Sequence, residues 1–308
     1  MNNLNTQIND YLNYCRYQKK LNLKTVKAYR IDLTQFATHL KQEAEPLAKR
    51  CISHYIQTLH QKYKAKTVKR KIACLRAFVN YLEFDEQIDV NPISKIKLNF
   101  REPVILPKAL PLATINKLIK AAYRSLENSQ SEFQYGINLR NVAIFELLFA
   151  TGVRVSELCS IKLNEIDLKN GAVKVWGKGA RERIVFISNQ ETLDALRKYK
   201  AAFLCEIENT GWFFINRFGN KLTEQSVRNV IKSYAKSAKI AEHITPHMLR
   251  HSFATLMLEE DVDIRYIQSI LGHSSISTTQ IYTHVALSKQ KSIMKEKHPR
   301  NRISIIIS

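Results

Sequence analysis

Glycine and proline are almost missing from the front of this 308-residue sequence: residues 1–84 contain no glycine and a single proline, Pro46, out of eight glycines and seven prolines in all. Without residues that supply left-handed turns and fixed bends, a region of many tight hairpins is excluded, and helices joined by short polar turns remain. Cysteine is also scarce. Cys15, Cys51, Cys74, Cys159 and Cys205 are odd in number, widely spaced and free of any C-x-x-C pair. That pattern argues against a disulfide framework and for reduced thiols in a cytoplasmic protein. No apolar run is long enough to span a bilayer, and the opening "MNNLNTQIND" is polar where a signal peptide would be apolar. The last shortage is of negative charge. Against 48 lysines and arginines stand 27 acidic residues, a net charge of +21.

That excess runs through the whole body. Residues 1–107 hold 19 basic and 9 acidic residues, a balance of +10, and the rest is spread over the remainder. A uniformly basic chain points first to nucleic acid, because each neutralised phosphate releases counterions; a membrane surface and simple solubility are the blander alternatives.

The first 84 residues read as a four-helix domain. Candidate helices run over Leu4–Tyr17, Lys24–Leu40, Lys49–Leu59 and Thr67–Leu82. The last is amphipathic: Ile72, Leu75, Phe78, Val79 and Leu82 make its apolar face, while Lys66, Lys69, Arg70, Lys71 and Arg76 crowd its first half. A basic stripe is usually a solvated face, but in so basic a chain these five are candidate phosphate contacts. Residues 85–111 carry four of the prolines and no periodic run, the texture of an extended interdomain linker. A second domain is expected over 112–300, followed by a tail over 301–308. In it "LRNVAIFELLFA" is apolar on nearly every side, as a central helix would be. "AVKVWGKGARERIVFI" reads as two strands joined by a glycine-containing turn, and helical patterns resume near Glu191, Gln225 and Pro246. The fold class expected is mainly α, with a small antiparallel sheet in the second domain.

Four short segments carry residues suited to chemistry. "ATGVRVSEL" sets Arg154 just past a glycine at a helix end, with Glu157 three residues on. "WGKGARER" puts Lys178 between two glycines at a hairpin tip. "ITPHMLRHSFATL" opens a helix with Thr245 as N-cap, Pro246 at the first position, and His247 and Arg250 one turn apart. "LGHSSISTTQIYTH" supplies His273 and Tyr282. Each alone has an ordinary structural reading. His247 and His251 at i, i+4 suggest a metal pair, but no H-E-x-x-H motif or third ligand accompanies them, so no metal and no cofactor are expected. Together, two arginines, a lysine, two histidines and a tyrosine suit a phosphodiester cleaved without a metal ion. A tyrosine hydroxyl can attack if the phosphorane-like transition state is stabilised. Arginine forks fit non-bridging oxygens and keep their charge. A lysine can protonate the departing oxygen, and a histidine can accept a proton or hold a phosphate oxygen.

These four segments, in order, resemble the signature boxes of the tyrosine recombinases, the phage-integrase family, and the resemblance covers most of the chain. It implies that Arg154, Lys178, His247, Arg250 and His273 form an activating pocket, that Tyr282 is the nucleophile, and that Glu157 is a supporting carboxylate, with His251 structural. It further implies a SAM-like N-terminal core-binding domain, a C-terminal catalytic domain, a double-stranded DNA recombination site as partner, and a homotetramer in the synaptic complex. Strand exchange would proceed through a 3′-phosphotyrosine and a Holliday junction. A partner recombinase or accessory protein, and the choice among chromosome-dimer resolution, phage integration and transposition, stay open. The closing "KHPR", Lys297–Arg300, is most similar to the Xer-type group. The isoleucines beyond it, Ile303 and Ile305 to Ile307, fit either docking into a neighbouring protomer or a strand or free end of the chain itself. The rivals are a type IB topoisomerase, which shares the phosphotyrosine chemistry, a DNA-binding accessory protein with a vestigial pocket, and a purely architectural basic protein.

Overall fold

The computed structural model describes residues 2–41, 43, 45–94, 96, 109–177, 182–260, 262–272 and 293–303. The chain divides into two compact units, Met1–Ile105 and Leu106–Ser308.

The first unit is built from α1 (Asn2–Asn13), which continues as a π-helical turn over Tyr14–Gln18, then α2 (Leu23–His39), α3 (Lys49–Lys62) and α4 (Ala65–Phe84). Asn22 caps α2, its side chain accepting from Lys24 N–H at 2.9 Å. Helix α4 is central, burying Val68, Ile72, Leu75, Phe78, Val79 and Leu82 against Tyr11, Leu33, Phe36 and Ile52 of the other three helices. The core does not end with α4. Asn91 is buried, donating to Asn80 at 2.8 Å and Glu83 at 2.9 Å, and Ile93 joins the same apolar cluster. The proline-rich stretch therefore begins with residues packed onto this unit, a contact its irregular sequence pattern conceals.

The second unit is arranged around α6 (Glu132–Thr151), which follows α5 (Leu112–Glu127). Ser131 caps α6, and from Asn138 to Thr151 every residue is buried, as the all-round apolar sequence requires. The helix starts earlier than its apolar run because its first residues, Glu132 to Tyr135, are exposed, the aromatic Phe133 and Tyr135 included. A short α7 (Val155–Leu158) and a 3-10 turn (Leu163–Glu165) lead to the sheet: β1 (Ile166–Asp167), β2 (Ala172–Trp176) and β3 (Glu182–Phe186), antiparallel in that order. The sequence pattern shows β2 and β3 but not the two-residue β1, which is too short to alternate. Val175 pairs with Arg183 across β2 and β3. Then come α8 (Gln190–Ala202), α9 (Leu204–Thr210), α10 (Glu224–Ser237), α11 (Pro246–Glu259) and α12 (Ile264–Leu271), and a 3-10 turn over Pro299–Arg302. Of the tail isoleucines, Ile303 packs into the core of this same unit; Ile305 to Ile307 lie outside the described residues. Among the described residues no helix is long and apolar enough to cross a membrane.

Candidate active site

Helix α6 stops at Gly152, which takes a left-handed conformation, φ 61°. That turn must be glycine for a second reason: a Cβ there would come within 2.6 Å of the Phe253 ring on α11. The close approach brings the start of α7 against α11. Arg154 is the N-cap of α7, and its backbone N–H donates to Glu157 Oε2 at 2.8 Å. Helix α11 opens as its sequence indicates, with Thr245 accepting from Met248 N–H and Pro246 at the first position. Phe253 and Met257 face inward and leave Arg250 buried beneath the helix.

Three guanidinium groups from three elements converge on Glu157, which is 4% exposed. Arg154 Nη1 donates to Oε1 at 2.6 Å. Arg183, on β3, takes both oxygens, Nη1 to Oε1 at 3.0 Å and Nη2 to Oε2 at 2.8 Å. Arg250 Nη1 stands 4.0 Å from Oε2. Burial acts to raise the Glu157 pKa, but the Arg183 fork and then the Arg154 bonds outweigh it, holding the carboxyl below its ordinary range.

The other arginine bonds go to two helix ends, those of α6 and α12. Arg250 Nη1 donates to Gly152 O at 2.7 Å and Nη2 to Leu271 O at 2.6 Å; Arg154 Nη2 donates to Gly272 O at 3.3 Å; Arg183 Nε donates to Ile270 O at 2.7 Å. The last carbonyls of α12 have no partner within their helix and carry partial negative charge, so they suit these cations. The balance is still positive: three arginines face one carboxylate. Burial, and next the charge of Arg154, press the Arg250 pKa below its usual value. A buried cation under that pressure is relieved by an anion, and a phosphate has the oxygens to match the forks.

Of the residues singled out in the sequence, Arg154, Glu157 and Arg250 are thus brought together. His247 is exposed on the first turn of α11, and His251 is half-buried one turn later. Lys178, His273 and Tyr282 lie outside the described residues. Arg183 is the residue the sequence reading passes over. Its signal is positional: in β3 it is paired with the inward-facing Val175, and a charged side chain at an inward strand position needs a buried partner.

On α4 the basic residues do not act alike. At roughly 100° per residue, Lys66, Lys69, Arg70 and Arg76 share one arc, and Lys71 falls on the opposite, apolar side. Lys66, Lys69 and Arg76 are exposed, and Arg70 is 48% exposed while pairing with Asp32. Lys71 is 4% exposed and its Nζ donates to Asp32 Oδ1 at 2.9 Å and to Gln35. It is corrected from a candidate DNA contact to an internal ion-pair partner, because its place on the helix faces the core.

A second buried charge cluster anchors the chain behind the site. Glu146, in the middle of α6 and wholly buried, accepts from Arg300 Nε and Nη2 at 2.9 and 2.8 Å, from Thr192 at 2.7 Å and from Tyr123 at 3.0 Å. His298 beside it is also buried. Its Nδ1 accepts from Arg300 N–H at 2.8 Å, so its Nε2–H donates to Ala150 O at 2.5 Å. Burial, opposed by the Ala150 bond, lowers its pKa from 6.5 to about 4. The folded state therefore prefers neutral His298, and the stabilisation is complete above pH 6.5 and lost as pH falls towards 4. Over that window the fold is expected to lose about 3 kcal/mol. Urea unfolding at pH 7.5 and 4.5 checks this, with His298→Gln showing a shallower pH dependence than wild type.

Residues 114–289 match the model of the phage integrase family, and residues 8–85 match the phage integrase N-terminal SAM-like domain. The chain is 50% identical over 301 residues to a tyrosine recombinase of Agathobacter rectalis, covering 97% of this chain and 98% of that one. It is 37% identical over 313 residues to the tyrosine recombinase XerC of Thermodesulfovibrio yellowstonii, covering 98% and 99%. Its fold is similar to that of the XerH site-specific recombinase in a post-cleavage complex with a palindromic difH substrate, at a TM-score of 0.70 and 20% identity over 93% of this chain and 83% of the other. With both domains matched and relatives aligned over nearly its full length, this chain belongs to the phage integrase family.

Proposed function

We propose that this chain is a site-specific DNA recombinase that cuts and rejoins strands through a tyrosine. The observation that carries the reading is the gathering of Arg154, Arg183 and Arg250 around the single carboxylate of Glu157, an excess of fixed positive charge suited to a phosphate. In this reading the Tyr282 oxygen attacks the scissile phosphorus as a histidine of the pocket accepts its proton. The new bond is a 3′-phosphotyrosine; the bond to the 5′ oxygen breaks, and Lys178 gives that oxygen a proton. Arg154 and Arg250 hold the non-bridging oxygens, with His247 and His273 as further hydrogen-bonding groups. A 5′-hydroxyl from a second duplex then attacks the phosphotyrosine, its proton passing to Lys178, and the tyrosine oxygen leaves and takes back its proton from the histidine, returning Tyr282. One phosphodiester replaces another at each step, so the chemistry itself calls for neither ATP nor a metal ion.

Exchanging both strands of two duplexes involves four scissile phosphates, and one nucleophile per chain argues for four copies acting through a Holliday junction. The division of labour follows the two units: residues 1–84 bind DNA, with the exposed Lys66, Lys69, Arg70 and Arg76 meeting phosphates, and residues 112–300 perform the chemistry. A cytoplasmic location suits a DNA substrate and free thiols.

The test is recombination in EDTA between two plasmid copies of candidate sites taken from DNA flanking the gene. A recombinant product supports the reading. Relaxation of a plasmid lacking any such site, without recombinants, would favour a topoisomerase, and tight binding with no strand cleavage would favour an accessory protein.

A further inference from the structure

The charge around Glu157 is shared unevenly. Arg183 binds both carboxylate oxygens through its fork, at 3.0 and 2.8 Å, whereas Arg154 makes one side-chain bond and Arg250, at 4.0 Å, makes none. Arg183 is also firmly held. Its side chain is 12% exposed, its Nε is bonded to Ile270 O, and a Cβ on Gly272 would come within 2.9 Å of its Nη1. Every nitrogen of its guanidinium is engaged inside the protein, so it has little left to offer a substrate. Arg154 is different: its side chain is 37% exposed.

We infer that Arg183 is a positioning residue that saturates Glu157 and so keeps this carboxylate from capturing Arg154 and Arg250. The inference rests on the strand-cleavage reading above. A buried carboxylate demands compensating charge and hydrogen bonds. Without Arg183, the nearest sources are Arg154, already bonded, and Arg250, just beyond hydrogen-bond reach. A small rotation of either guanidinium would satisfy Glu157 and turn donors away from the phosphate. Arg183 itself touches no reacting atom; it spares the remaining N–H groups of the other two arginines from Glu157.

The experiment is single-turnover formation of the covalent protein–DNA adduct by the full chain, on saturating nicked duplex, with the duplex Kd measured separately. Arg183→Met is expected to slow adduct formation about 10–100-fold, as the loss of supporting groups does around other sites, while Kd stays within about 3-fold. Arg183→Lys recovers only part, because an ammonium cannot bridge two oxygens. The deciding variant is Arg183→Met with Glu157→Gln. Removing the carboxylate's charge removes its demand, so this double variant is expected to react at least about 3-fold faster than Arg183→Met alone. A double variant no faster than Arg183→Met overturns the inference; rates are read well below each variant's melting midpoint, where a rescue of stability alone leaves them unchanged. An Arg183→Met rate within about 2-fold of wild type overturns it equally. Should Arg183→Met fail to fold, Arg183→Lys with and without Glu157→Gln makes the same comparison. Wild type that forms no adduct on any candidate duplex overturns the strand-cleavage reading, and this inference with it; wild-type adduct matched by Arg183→Met overturns the inference alone.

Discussion

Arg250→Ala is expected to lower the rate of strand cleavage on the order of a thousandfold or more. Removing one preorganised donor from an anionic transition state costs about 10²–10³ in rate, and Arg250 supplies a full charge as well as a fork. Its place in the fold adds to the loss. The side chain is 4% exposed and donates to the carbonyls of Gly152 and Leu271 at 2.7 and 2.6 Å, tying the end of α6 to the end of α12. An unpartnered Gly152 carbonyl costs about 1–3 kcal/mol, and Leu271 O keeps only the long 3.5 Å bond from Arg154, so stability should fall too. Arg250→Lys separates the two effects. It keeps a charge but cannot reach both carbonyls and a phosphate, and it is expected to remain at least about a hundredfold slow. Single-turnover adduct formation, measured well below each variant's melting midpoint, reads the rate; a loss under tenfold for both variants would remove Arg250 from the reacting centre.

The largest effect on stability is expected at Arg300. Its side chain is wholly buried, pairing with the wholly buried Glu146 at 2.8 Å and with Glu191 at 2.5 Å. Burial works against the Arg300 charge, but Glu146 and then Glu191 outweigh it and hold the pKa above its ordinary value. Arg300→Met leaves Glu146 as an uncompensated charge in the middle of α6. Breaking a buried pair from one side costs about 3–5 kcal/mol, which for a domain of this size is a melting shift of about 6–20 °C. Adding Glu146→Gln should restore part of that loss, since a neutral amide still meets Thr192 and Tyr123 without a charge to balance. Thermal unfolding of the single and double variants checks both statements. An Arg300→Met midpoint within about 2 °C of wild type would mean that Glu146 finds its compensation elsewhere.

Much of this could be read from the sequence where partners are close along the chain. Arg154 and Glu157 lie three residues apart, and their capping contact is local. The Thr245 cap, Pro246 and the inward Phe253 all follow from one helix's own pattern. The four N-terminal helices follow from periodicity, and the buried α6 from a run apolar on nearly every side. What could not be read is the pairing of distant charges. Arg183 meets Glu157 from a strand 26 residues on, and Arg300 reaches Glu146 across 154 residues. Glu146 does leave a trace, a lone carboxylate in an apolar run, but nothing local says which cation answers it. Lys71 shows the same limit in reverse. Its angle on α4 already sets it on the apolar side, and what the helix alone does not reveal is the partner that lets a lysine lie there, Asp32, 39 residues earlier. Two-residue β1 and the exposed opening of α6 were hidden for a simpler reason, the first being too short to show a period and the second having no buried face to show one.

The central claim is that Tyr282 attacks the phosphate in a metal-independent reaction. Its most direct test is to trap the protein on nicked duplex in EDTA, digest the adduct, and identify by mass spectrometry the peptide that carries the nucleotide. The account requires a 3′-phosphate linked to Tyr282, at a yield unchanged when magnesium replaces EDTA. An adduct on any other residue, or cleavage that appears only with a divalent cation, would contradict it.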